Sequence, residues 1–317
     1  MKGLVQKEDK NLKRKVVTDK IARTLLLSVT VLCSLFVVLI TLFIVYKGVA
    51  PFFKTYVVEG NEYKIDFFKF LTGNMWFKNP NIYGAGYVIV DTIFITFMAL
   101  LVAVPISVLT ALFISRIAPK WLAKILNGAI ELLASIPSVI YGLFGLMVIT
   151  NVVKNISSFF GFQSAGGLSS LSASLVLSMM IMPTITMLSV TAISSVKEDQ
   201  VLGSLALGCS KTETNFKVVL KAAKSGIFSG IILGLGRALG EATAVSMVVG
   251  NAGSGPNFNP FDTSRTLTST MLLSMHETVG MDYDIRFSIG MILIIMILLT
   301  NIGLNAIKKK MGKTYGK

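Results

Sequence analysis

The sequence predicts an all-α integral membrane protein with six transmembrane helices and both termini in the cytoplasm. Three observations predict it. Only 15% of the 317 residues are charged and 53% are hydrophobic, whereas a soluble domain carries about 25% charged residues. Six apolar runs are each long enough to cross the roughly 30 Å of bilayer hydrocarbon. The basic residues are shared unequally between the segments that join those runs. The mean hydropathy of +0.72 agrees, and the same composition excludes a disordered chain, a collagen repeat and a disulfide scaffold.

The first run, 24–46, holds no charge and follows a basic arm, 1–23. At 1.5 Å per residue it is roughly 34 Å long. It is too long for the apolar core of a signal peptide, and no small-residue cleavage site precedes Lys47, so the expectation is a retained anchor. Five further spans are predicted at 87–115, 125–150, 169–193, 226–250 and 287–307. Pro105, Pro137 and Pro183 fall inside them; membrane helices tolerate proline because neighbours satisfy the freed backbone groups. With the N-terminus inside, the cytoplasmic segments 1–23, 116–124, 194–225 and 308–317 hold 21 of the 30 Lys and Arg, and the outer segments 47–86, 151–168 and 251–286 hold eight. The positive-inside rule then places both termini in the cytoplasm. Most of the net charge of +14 is this bias, which removes the main argument for a nucleic-acid partner.

One membrane domain, 24–307, is expected between the basic arm and the basic tail. The outer segment 47–86 carries Phe52, Phe53, Tyr56, Phe67, Phe68 and Trp76 and reads as a folded cap or docking surface. The cytoplasmic segment 194–225 has the pattern Val201, Leu202, Leu205, Leu207, Phe216, Val218, Val219 and Leu220. It predicts two short amphipathic helices broken near Gly208. No internal repeat is evident.

Soluble chemistries find no residues to carry them. A single histidine, His276, leaves no triad or histidine metal site, and Cys33 and Cys209 give neither a metal pattern nor a disulfide framework. Gly312-Lys-Thr314 ends like a phosphate-binding loop, but position 307 is isoleucine and no strand precedes it. Gly234-Leu-Gly fails the dinucleotide pattern, since position 239 is leucine.

The strongest local signal is in the fifth span. At 100° per residue Gly226, Gly230, Gly234, Arg237 and Glu241 fall within roughly 80° on one helical face, and Gly240 adjoins them. Small residues at four-residue spacing let helices approach closely. Arg237 and Glu241 are i,i+4 neighbours able to pair. A charge at this depth needs a partner or an aqueous cavity. Two readings stand together: an ion pair that locks helix packing, and a cation that meets an anionic solute. Two other acids lie in predicted spans. Asp91, near the outer end of the second, reads as interfacial and structural. Glu131, near the inner end of the third, precedes Ser135, Pro137 and Ser138, where a proline either forms a hinge or opens carbonyls to a cavity.

Two strings, Glu131-Leu-Leu-Ala-Ser-Ile-Pro-Ser-Val-Ile-Tyr-Gly-Leu-Phe-Gly145 and Gly234-Leu-Gly-Arg-Ala-Leu-Gly-Glu241, resemble the permease subunit of the bacterial phosphate ABC transporter, PstC type. The resemblance covers nearly the whole chain, and the long segment 47–86 favours the PstC type over the related PstA type. It implies a type I ABC importer permease architecture in the bacterial inner membrane, forming half of a pathway for inorganic phosphate. It also implies the partners: a PstA-type second permease, a PstB-type ATPase dimer and a PstS-type extracytoplasmic phosphate-binding protein. ATP and magnesium would sit on the ATPase, with no cofactor on this chain and no catalysis by it. Arg237, Glu241, Glu131, Ser135 and Ser138 become candidates for the substrate pathway, and Gly226, Gly230, Gly234 and Gly240 for helix packing. The family's cytoplasmic coupling motif is matched in part. Gly208 fits its glycine, and Val218, Val219 and Leu220 fit its Ile-x-Leu, but Leu202-Gly-Ser204 stands for Glu-Ala-Ala and Lys221 for its proline. Leu205, Gly208, Cys209, Ser210, Val218 and Leu220 are the expected ATPase contact, with Glu198, Asp199 or Glu213 replacing the missing acid. The competing readings are a permease for molybdate or sulfate, a stand-alone secondary transporter and a membrane scaffold. The second lacks the expected repeats, and the third gives no reason for Arg237 and Glu241.

Overall fold

The computed structural model describes residues 2–58, 60–78 and 82–313, with side chains described over 18–57, 60–78 and 82–310. Met1 of the basic arm and residues 314–317 of the basic tail lie outside the described residues. Among the described residues, six helices are long and apolar enough to cross a membrane: Thr18–Phe52, Gly86–Ile117, Ser138–Phe159, Ser170–Ser194, Lys211–Gly240 and Met281–Lys310.

The first crossing belongs to α1 (Lys2–Val49), a single helix that carries the basic arm straight into the membrane. Its apolar side chains are largely exposed, as suits a lipid-facing helix, and it leans on α13 (Met281–Lys313) through an edge-on contact of Phe43 with Phe287. Ser288 Oγ donates to the Gly48 carbonyl at 2.6 Å, fixing the outer ends of the two together.

The outer segment folds into a cap of two small hairpins around one helical turn. Strands β1 (Thr55–Val58) and β2 (Asn61–Lys64) pair antiparallel, α2 (Phe67–Thr72) follows, and β3 (Trp76–Phe77) pairs with β4 (Ile82–Tyr83). The aromatics expected of a cap hold it: Phe52 packs against Phe67 and Phe70, and Trp76 against Tyr83. The Tyr56 hydroxyl donates to Asp284 at 2.8 Å, tying the cap to the start of α13. Burial and this bond raise the tyrosine pKa above its ordinary value.

The second crossing is α3 (Gly86–Leu112), continued by a wide turn to Ile117. Asp91 is wholly buried near its outer end. Its carboxylate accepts from Ser264 Oγ at 2.7 Å and from the Asn257 amide at 3.2 Å. It therefore anchors the outer loop from inside the protein and does not lie at the lipid interface.

The third crossing departs from expectation. The run 125–150 is not one helix: α4 (Lys120–Ser135) ends before Pro137, and the crossing starts afresh with α5 (Ser138–Phe144) and runs through α6 (Thr150–Phe159). Proline removes a backbone donor and pushes its predecessor to extended backbone; Ile136 has φ −67° and ψ 128°. No residue of α4 is buried.

The fourth crossing, α7 (Ser170–Ser194), is the axis of the fold, with Pro183 inside it. Ile95, Ala99 and Ala103 of α3 and Val176, Met180, Ile181 and Ile185 of α7 form the main apolar core. On the cytoplasmic side α8 (Glu198–Ala206) is followed by a turn at Gly208, whose φ of +85° is open to glycine at no steric cost. The second short helix expected here does not exist separately. The chain from α9 (Lys211–Glu213) continues through one wide turn into α10 (Leu220–Gly240), making the fifth crossing. The helix α10 ends at Gly240 and not at residue 250. The chain then turns through Glu241 into α11 (Thr243–Val248), an outer loop, α12 (Leu267–Leu272) and the sixth crossing in α13.

Candidate functional site: a cationic cleft at the membrane midplane

The site is built on the seam between α7 and α10. A Cβ on Gly226 would stand 2.5 Å from that of Ala192, and one on Gly234 2.7 Å from Ile185 Cγ1; on Gly230 it would meet Leu188 at 3.1 Å. Absence of side chains there lets the helices touch backbone to side chain, as small-residue spacing predicts. Gly240 takes no part in this: nothing lies within 4 Å of where its Cβ would be.

Arg237 leaves this seam sideways. Its Nη1 donates to Thr184 Oγ1 of α7 at 3.1 Å. Thr184 precedes Ser194, the inner end of α7, by ten residues, about 15 Å of rise. Half of a roughly 30 Å hydrocarbon layer is the same distance, so the guanidinium sits near the midplane. It is half-buried and lines a cleft of about 700 Å³ with Thr184, Ser229, Asn301, Asn305 and Lys308. Among the described residues no carboxylate lines this cleft. The Tyr141 hydroxyl lies within electrostatic reach of Arg237.

The expected ion pair between Arg237 and Glu241 is absent among the described residues. Helical geometry ends at Gly240, and Glu241 is extended, with φ −75° and ψ 119°. Its side chain reaches forward, accepting from the Ala244 amide at 3.0 Å, and so caps α11. Its freed carbonyl accepts from Thr268 Oγ1 at 2.7 Å. Glu241 thus holds a bend, and Arg237 keeps its remaining donors.

Glu131, Ser135 and Ser138 do not join the cleft. Glu131 and Ser135 are exposed on α4, with Ser135 Oγ donating to the Leu132 carbonyl at 2.7 Å; Ser138 begins α5 beyond the proline. Tyr141 OH donates to the Leu133 carbonyl at 2.9 Å and clamps the α4–α5 break. Asn301 and Asn305, which the charge-based reading passed over, do line the cleft. Their signal was two amides at i,i+4 in an apolar span, with Lys308 one turn on.

At the cytoplasmic end, Gly208, Cys209 and Ser210 form an exposed turn, while Leu205, Val218 and Leu220 are partly buried. Ser210 caps the fifth crossing in a reciprocal box with Glu213, and Glu213 also pairs with Lys217 at 3.1 Å. Glu213 is thereby committed within its own helix, while the exposed Glu198 and Asp199 have no ion pair among the described residues. Leu207 is 87% exposed at the tip of the turn, with Leu202 and Phe216 also open.

Two further arginines sit on the outer side. Arg286 donates to the Thr270 and Leu273 carbonyls and pairs with Asp282 at 3.5 Å. Arg265 donates to the Asn251 carbonyl at 3.2 Å, and burial lowers its pKa.

Residues 103–313 match the family described as the binding-protein-dependent transport system inner membrane component. The chain belongs to this family. It is an inner-membrane permease component of an ABC importer, a transport subunit without catalytic chemistry of its own, and such importers combine it with a second permease, an ATPase and an extracytoplasmic binding protein. The permease is 38% identical over 262 residues to the probable ABC transporter permease protein YqgH of Bacillus subtilis (strain 168), covering 82% of this chain and 81% of that one. It is 34% identical over 267 residues to the phosphate transport system permease protein PstC of Pasteurella multocida (strain Pm70), covering 78% and 82%. Among solved structures, a bacterial alginate ABC transporter chain matches its fold with a TM-score of 0.62 at 19% identity, covering 92% of this chain and 96% of that one.

Proposed function

We propose that the permease conducts inorganic phosphate inward as half of a pathway completed by a PstA-type subunit, with a PstB-type ATPase dimer below and a PstS-type binding protein above. The observation that carries this reading is Arg237, a guanidinium near the midplane facing a cleft with a second cation and no carboxylate. A planar fork of donors suits a tetrahedral oxyanion, and a charge at this depth is retained where it serves a solute or a partner. The relatives named as phosphate transport permeases support phosphate over other oxyanions. The exposed turn at Gly208–Ser210, with Leu207 at its tip, is the surface offered to the ATPase. The test is ATP-driven uptake of labelled phosphate by the reconstituted complex, with sulfate and molybdate as competitors. Saturable phosphate uptake untouched by excess sulfate or molybdate is expected; uptake of either of those in preference to phosphate would reassign the substrate.

A further inference from the structure

We infer that Asn301, Asn305 and Lys308 form, with Arg237, a continuous track for a phosphate group from the membrane midplane to its cytoplasmic face. The inference deepens the proposed phosphate reading and rests on it. The three residues stand at i, i+4 and i+7 on α13, within roughly 60° on one face of that helix. All three line the same cleft as Arg237. Lys308 opens the run Lys308-Lys309-Lys310, which marks where α13 leaves the hydrocarbon on the inner side. Asn301 lies seven residues earlier, about 10 Å deeper. The cleft therefore runs downward from Arg237, and every charged group that lines it among the described residues is a cation.

The amides have no other evident duty. Neither the Asn301 nor the Asn305 side chain has a hydrogen-bond partner among the described residues, and Lys308 has no ion pair there. Asn301 is half-buried and Asn305 exposed, and an unpaired amide at the depth of Asn301 is costly. An amide also offers two N–H donors without fixed charge. Such a group can hold a phosphate oxygen and still release it, which a string of guanidinium groups would do poorly. Arg237 would then receive the anion, the amides pass it, and Lys308 deliver it to water. A free phosphate and the phosphate of an anionic lipid headgroup share this chemistry.

The experiment uses the whole complex with its partners, reconstituted into zwitterionic liposomes with and without added phosphatidylglycerol. Phosphate uptake per ATP hydrolysed is compared for the unchanged protein and the variants Asn305→Leu and Lys308→Met, with Asn305→Gln and Lys308→Arg as conservative controls. The expected result is about a tenfold fall in uptake per ATP in both liposomes, equivalent to ~1.4 kcal/mol. The amount of complex should be unchanged, and uptake per ATP should be restored in the conservative variants. If the variants change nothing in zwitterionic liposomes but lose a stimulation by phosphatidylglycerol, the same track holds a lipid phosphate. Unchanged coupling in both liposomes while Arg237→Gln abolishes uptake overturns the track alone. A fall in assembled complex without recovery in the conservative variants overturns it in favour of a subunit contact. Absence of phosphate uptake by the unchanged complex overturns the phosphate reading and the track with it.

Discussion

Arg286 and Arg237 are the same residue in opposite situations. Arg286 lies under the cap, its side chain 7% exposed, and its donors go to two carbonyls and to Asp282. Arg237 lies near the midplane, half-buried, with one hydrogen bond to a threonine and an open cleft before it. A buried guanidinium held by two carbonyls and an acid of its own chain is a joint: it closes the α12–α13 turn, with its Nε alone left unpaired. A guanidinium at membrane depth with spare donors and no acid beside it is poised for a partner that arrives from elsewhere. Charge alone does not separate the two; burial and the acceptors that stand beside each guanidinium do.

Breaking the joint should have the largest effect. Arg286→Ala leaves Asp282 and two carbonyls uncompensated, and removing one partner of a buried pair costs about 3–5 kcal/mol. Membrane levels of the protein and its melting temperature in detergent should both fall sharply. Next in size is the seam that presents Arg237. Gly234→Val places a branched side chain against Ile185; overpacking of this kind costs about 1–3 kcal/mol. The same melting assay should register it, while Gly240→Ala, with open space around it, should change little. Smaller again is the bend. Glu241→Ala removes the acceptor for the Ala244 amide, the loss of a cap worth about 1 kcal/mol. Smallest is Glu241→Gln, which keeps an acceptor oxygen. It should transport nearly as well as the unchanged protein. Strong loss of uptake in Glu241→Gln at normal complex levels would return Glu241 to the pathway as a charge.

The six crossings were legible because hydropathy and the placement of Lys and Arg are global properties that survive errors of detail. The misplacements have local causes. In 125–150 the amphipathic α4 abuts the apolar α5 across Pro137, and a hydropathy window averages over that break. Pro105 and Pro183 sit inside continuous helices, as membrane helices allow, whereas at Pro137 the chain breaks, as the hinge reading expects. In the fifth span, residues 241–250 are apolar enough to pass as a continuation of α10, although the chain bends at Glu241 before α11. What ends the helix at Gly240 is tertiary: Thr268, far along the chain, takes the Glu241 carbonyl. That bend also undid the i,i+4 pairing, which had assumed continuous helix. Arg237 itself was legible as a rare charge in a span. Asn301 and Asn305 were not, because a search for charges ignores amides, and only the packing of α13 beside α10 brings them to the cleft.

The most direct measurement is phosphate uptake per assembled complex in Arg237→Gln, read beside Arg286→Gln. The account predicts that Arg237→Gln assembles at normal levels and transports at least tenfold more slowly, one hydrogen bond to a charged group being worth about 1.5–3 kcal/mol, while Arg286→Gln loses uptake only in proportion to lost complex. Normal uptake in Arg237→Gln, or a loss that merely tracks the amount of complex, would contradict it.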